Sequence, residues 1–121
     1  MTRPDGEATE QDIVATLSLD SVFSLLTDRT RRLALYHLHD QPNGVATMPE
    51  LAAAVASYRN RLEDQPADEE AIAVALAHVH LPRLEACGVL EMDERTETVR
   101  YWRHPSLDEW LEHAFHTELA E

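Results

Sequence analysis

The sequence predicts a mainly α-helical domain with one small β-hairpin close to its C-terminal end. Three observations lead there. Apolar residues recur at spacings of three and four through most of the chain, which is the signature of helices with one buried face. A single polar tip, Asp93 to Glu97, separates two short apolar or alternating runs, which is the signature of a hairpin. The 121 residues, 44% of them apolar, suffice for one hydrophobic core.

Taken in order, residues 1–9 are polar and carry Pro4 and Gly6, which predicts a frayed, flexible N-terminus ahead of a single domain over 10–121. Ile13, Val14 and Leu17, then Val22, Phe23, Leu25 and Leu26, predict one or two amphipathic helical pieces, with Asp20 or Ser21 as a cap. Thr27 or Asp28 is placed to cap the next helix, which carries Arg31, Arg32, Leu33, Leu35, Tyr36 and Leu38 and stops at Pro42, Asn43 and Gly44. Val45 to Thr47 is long enough only for a minimal edge strand. Pro49 suits the first turn of a helix through Tyr58.

An acidic connection follows: EDQPADEE, from Glu63 to Glu70, holds five acids and no base. It predicts a loop from Arg59 to Ala67, with Asp68 capping a long helix over about 69–87 that Gly88 closes. Pro82 lies inside that helix and lacks an amide donor, so it should kink the helix or end its first part. The hairpin falls within 89–102. A last helix, over about 106–119, begins at Pro105 or Ser106 and carries Leu107, Trp110, Leu111, Ala114, Phe115 and Leu119. Helix, helix, short strand, helix, helix, hairpin, helix is the order of a winged helix-turn-helix with an extra helix at each end.

Charge is the most unusual feature. Twenty-three acids oppose ten bases, every base is arginine, and the net charge is −13. Acidic groups hold water and hydrated cations, and at molar salt their repulsion is screened to within about 3 Å. The acids are dispersed among periodic apolar residues, so the pattern predicts a folded protein adapted to a salt-filled cytoplasm, with bound salt cations. No run approaches the roughly 18 apolar residues of a membrane helix, and Met1 to Asp5 has no apolar signal core, so a cytoplasmic protein with no membrane partner is expected. Cys87 is the only cysteine. It excludes an intramolecular disulfide.

The segment from His80 to Leu90, HLPRLEACGVL, resembles the end of the recognition helix and the entry to the wing in ArsR-, MarR- and PadR-like winged-helix repressors. There leucines pack on the core and a glycine makes the left-handed turn that ends the helix, and the resemblance puts Cys87 in the place of a small core residue next to Gly88, implying an inert buried thiol. Residues 19–38, LDSVFSLLTDRTRRLALYHL, look like the opening of haloarchaeal winged-helix transcriptional regulators. The resemblance implies a sequence-specific DNA-binding regulator with a recognition helix over 69–87 and a wing over 89–102. Its register would turn Ala73, Leu76, Ala77, His80 and Leu84 inward and leave Ala71, Val74, Ala75 and His78 to face DNA, where small apolar side chains touch thymine methyls. Two features depart from the pattern: the link from Tyr58 to Asp68 is long, and the reading helix opens with Glu69 and Glu70.

Arginines cluster at Arg29, Arg31 and Arg32, at Arg59 and Arg61, and at Arg95, Arg100 and Arg103, three places that flank DNA in such a fold. Arg59, Arg61, Arg95, Thr96 and Arg100 are therefore the expected backbone contacts. Counterion release nearly vanishes at molar salt, so an acidic surface loses little there, and affinity is expected to rise or barely fall with salt. A homodimer is expected through Leu17, Leu107, Trp110, Leu111, Ala114 and Phe115, setting two reading helices roughly 34 Å apart on a pseudo-palindromic operator of double-stranded DNA. The same stripe could instead cover the chain's own core.

Among the seven histidines, His113 and His116 lie one helical turn apart and are the weak metal candidates, with His37 and His39 joining them only if folding brings them near. No cofactor is called for. No glycine-rich phosphate loop, nucleophile elbow or HExxH motif occurs, so no catalytic residue is assigned and an enzyme is not expected. The alternative function is a winged-helix protein-interaction module whose apolar fourth helix docks on a partner instead of DNA.

Overall fold

The computed structural model describes residues 17–63 and 66–119. The predicted flexible 1–9 segment and the helical positions Ile13 and Val14 lie outside the described residues.

Helix α1 (Leu19–Thr27) is capped by Ser18, whose hydroxyl accepts from the Ser21 amide at 3.0 Å, so the cap sits earlier than Asp20 or Ser21. Helix α2 (Arg29–Asp40) follows directly, capped by Asp28 as the sequence suggests. Strand β1 (Val45–Thr47) leads into α3 (Met48–Leu62) through a full capping box: Thr47 accepts from the Glu50 amide, and Glu50 reaches back to the Thr47 amide. Helix α3 runs four residues beyond Tyr58. Arg59 and Arg61 therefore lie on its last turn and not in a loop, favoured there by the negative end of the helix dipole.

Asp68 caps α4 (Glu69–Ala75), which passes through a π-helical turn, Leu76–His80, into α5 (Leu81–Ala86) without leaving right-handed helical backbone. Pro82 explains the wider turn. It offers no N–H to the His78 carbonyl and its ring would press on that group, and one extra residue in the turn relieves both. Strands β2 (Leu90–Asp93) and β3 (Thr98–Tyr101) form the expected hairpin, and β1 adds antiparallel to β3, giving the order β1-β3-β2. Helix α6 (Pro105–Glu118) then crosses back over α2. The chain is thus mainly helical with a small three-stranded antiparallel sheet.

The core gathers Leu33, Leu35, Leu38, Leu51, Val55, Leu76, Leu81, Leu84, Val99 and Leu107, all with no exposed surface. Three expectations need correction. Ala77 is exposed while Leu81 is buried, because the π turn rotates the residues after Ala75 relative to a regular helix, and Ile72, one turn before Leu76, is buried as well. Cys87 is exposed, since α5 has already ended and the chain is turning through Gly88. Arg31, expected on a DNA-flanking surface, is buried, 7% exposed.

Candidate nucleic-acid interface

Several of the arginines close helix ends. A helix leaves its last four carbonyls without internal partners. In α1 these are Ser24, Leu25, Leu26 and Thr27, and arginine reaches all four: Arg31 donates to Ser24 and Leu25 at 2.8 Å each, and Arg32 to Leu26 and Thr27. Arg103 does the same at the end of α2, donating to the His39 and Gln41 carbonyls, and Arg61 donates to the Leu119 carbonyl after α6. Arg59 and Arg29 both pair with Glu63. Several arginines expected at phosphates are thus committed within the chain. Arg95 sits exposed at the hairpin tip, and Arg100 lies over the Trp102 ring at 5.4 Å.

Arg31 also approaches His80 on the π turn, 3.4 Å from Nδ1, while the other ring nitrogen lies 3.6 Å from Asp28. Burial lowers the His80 pKa, Asp28 opposes that, and Arg31 adds to it. His80 thus joins the inner side of the π turn to the α1–α2 junction through Arg31 and Asp28.

The outer side of α4 and the π turn is bare. Val74 and Val79 are 59% and 56% exposed, and Ala71, Ala77 and His78 are exposed with them. The expected readers are not gathered in one hollow. Val74 and His78 face a groove of about 700 Å³ shared with the start of α3 and the hairpin. Ala71 and Ala75 lie on the opposite flank of α4 beside Arg59, in a smaller hollow of about 330 Å³. Arg95 and Arg100 border a third hollow, about 520 Å³, on the far side of the hairpin. The Thr96 hydroxyl, another expected contact, is bonded to that of Thr98 at 2.8 Å.

The central groove was not read from the sequence. Its floor is Met48, Ala52, Ala73, Val74, Ala77 and Met92, and its rim is Glu69, Glu70, Asp93, Glu94 and Glu97, with no arginine among the described residues that line it. The one available signal was Glu69 and Glu70, the pair of acids opening α4. The walls are fixed to each other, because the Met48 amide donates to the Glu97 carbonyl at 2.9 Å and ties the hairpin turn to the first residue of α3. Glu97 adopts a left-handed φ of 56° to make that turn.

Of the residues expected at a dimer contact, Leu107 and Leu111 are buried in the chain's own core, and Leu17, Ala114 and Phe115 are partly buried against it. Trp110 stays 37% exposed and packs edge-on against Phe23, ring centres 5.1 Å apart, with Leu19 exposed on the same helix as Phe23. The rings of His113 and His116 pack edge-on against Trp110 and Phe115, and His39 lies 3.6 Å from both Asp108 and Glu112. No group of three or more potential metal ligands occurs among the described residues. No helix among the described residues is long and apolar enough to cross a membrane.

No curated protein and no solved structure matches this chain. A family model matches residues 23–100, from within α1 to within β3, so α4, the π turn and the groove lie within the match and α6 lies outside it. The chain belongs to the family described as Domain of unknown function (DUF7344).

Proposed function

We propose that this chain is a winged-helix transcriptional regulator that binds double-stranded DNA sequence-specifically, as a homodimer, in a cytoplasm of high salt. One observation carries the reading: α4 and the π turn present a bare face of Ala71, Val74, Ala77 and His78 beside a hairpin whose Arg95 is exposed. Small apolar groups suit thymine methyls, His78 suits a base edge, and a hairpin arginine suits the adjacent backbone. The element order and the β1-β3-β2 sheet support the winged-helix assignment. The Phe23–Trp110 patch supports the dimer, since α1 and α6 of one copy would meet the same surface of another.

The acidic surface accommodates DNA through cations shared between carboxylates and phosphates, which molar salt supplies. The test is fluorescence anisotropy with DNA from upstream of the chain's own gene against scrambled DNA in about 2 M KCl. Sequence-dependent binding supports a regulator. Its absence from a folded dimer supports the second reading, a winged-helix protein-interaction module, which the acid-rimmed groove without a lining arginine favours.

A further inference from the structure

We propose that the groove between α3, α4 and the hairpin docks a basic amphipathic helix of a partner protein. The inference deepens the protein-interaction reading: the groove shares Val74, Ala77 and His78 with the face proposed for DNA, so a partner helix and DNA are alternative occupants of those residues.

Three properties define the occupant. The volume of about 700 Å³ lies in the roughly 300–1,000 Å³ range of concave binding sites, enough for several apolar side chains from one helix face. The floor is apolar, and Met48 and Met92 stand on opposite walls with unbranched side chains that adapt to an incoming surface. An apolar groove of this kind takes a helix through anchors spaced i, i+3, i+4 and i+7. The rim is uniformly acidic. Glu63 and Glu118 elsewhere are neutralised by arginines of the chain, but Glu69, Glu70, Asp93, Glu94 and Glu97 have no ion-pair partner among the described residues. At molar salt only charges in contact still attract, so the partner needs arginines or lysines flanking its apolar stripe, at the rim itself.

The charge selects against the other occupants. A phosphate backbone would meet five carboxylates, and a second copy would bring a net charge of −13 to the same rim. The groove is also preformed. The Met48–Glu97 backbone bond and the Thr47–Glu50 capping box hold two of its walls, so little order has to be created on docking.

The test uses the full chain and a fluorescein-labelled helical peptide of about 16 residues, with leucines at the anchor spacing and arginines elsewhere, in about 1 M KCl. Its controls are a scrambled peptide of the same composition and one with glutamate in place of arginine. The designed peptide is expected to bind at least about tenfold more tightly than either control. Val74→Asp, at a position 59% exposed and so tolerated by the fold, is expected to weaken it by about tenfold although it adds a negative charge. Glu70→Gln with Glu94→Gln should weaken it severalfold.

Equal binding of the scrambled peptide, or unchanged or tighter binding to Val74→Asp, would mean charge attraction alone and overturn the proposal. The methyl signals of Met48 and Met92, followed by NMR, should shift with peptide. If they shift with duplex DNA and not with peptide, or on self-association of the chain alone, the groove belongs to DNA or to a second copy and the proposal fails. Peptide and DNA are titrated separately, so failure of one leaves the result for the other intact.

Discussion

Arg32 and Glu118, 86 residues apart, lock the last helix onto α2 by two parallel bonds, Nε to Oε1 at 2.8 Å and Nη2 to Oε2 at 2.7 Å. The Tyr36 hydroxyl donates to the same carboxylate at 2.9 Å. The Arg32 hydrogen bond is the largest influence holding the Glu118 pKa below the ordinary carboxylate value, and Tyr36 and Arg29 add to it. The contact joins a helix inside the family match to one beyond it.

Glu118→Gln is therefore expected to destabilise the fold by about 2 kcal/mol, the scale of a hydrogen bond to a charged group. A depressed carboxylate pKa contributes stability that is present above the unfolded value, about 4.3, and lost as pH falls through the folded one. Urea unfolding from pH 7 to pH 3 should show the wild type and the variant converging as the pH drops.

The lowered pKa of His80 acts near neutrality with the same direction in pH. The unfolded chain binds a proton that the folded chain resists, so stability falls as pH drops below about 6.5. Replacing His80 with asparagine should flatten the stability profile between pH 7.5 and 5, measured by chemical denaturation. An unchanged slope would show that His80 is not the group responsible.

Arg31→Lys is expected to cost about 2 kcal/mol despite keeping the charge, because one ammonium cannot span the Ser24 and Leu25 carbonyls as a guanidinium fork does. Thermal unfolding checks it. Arg95→Ala, at the exposed hairpin tip, should leave the melting temperature unchanged and weaken DNA binding severalfold in the anisotropy assay.

The two glycines with positive φ should respond differently to alanine. A Cβ on Gly44 would lie 2.8 Å from the Tyr101 carbonyl oxygen, whereas one on Gly88 would meet nothing within 4 Å. Gly88→Ala should cost about 1 kcal/mol for the left-handed backbone alone. Gly44→Ala should cost distinctly more, since backbone must also move where the Tyr101 amide donates to Gly44.

Trp110→Ser with Phe23→Ser should convert a dimer to a monomer in sedimentation with the fold retained, because both side chains are more than a third exposed. Leu111→Ala should instead unfold the chain by about 2–5 kcal/mol, as expected of a buried leucine.

The element order and most element boundaries are written in local sequence. Asp28, Thr47 and Asp68 each accept a bond from a backbone amide three residues on, and Pro42 to Gly44 and Gly88 end helices by their own conformational limits. Such signals act within a few residues and can be read locally. What the arginines do, and which apolar stripe is bare, depends on how the elements pack. Arg31 and Arg32 look like a basic cluster in sequence, yet they complete a helix end because α1 and α2 meet at Asp28. Leu111 and Trp110 are neighbours, yet one is core and the other surface, since α2 covers one side of α6 and leaves the other open. The groove required three elements distant in sequence to converge, and no local pattern encodes that convergence.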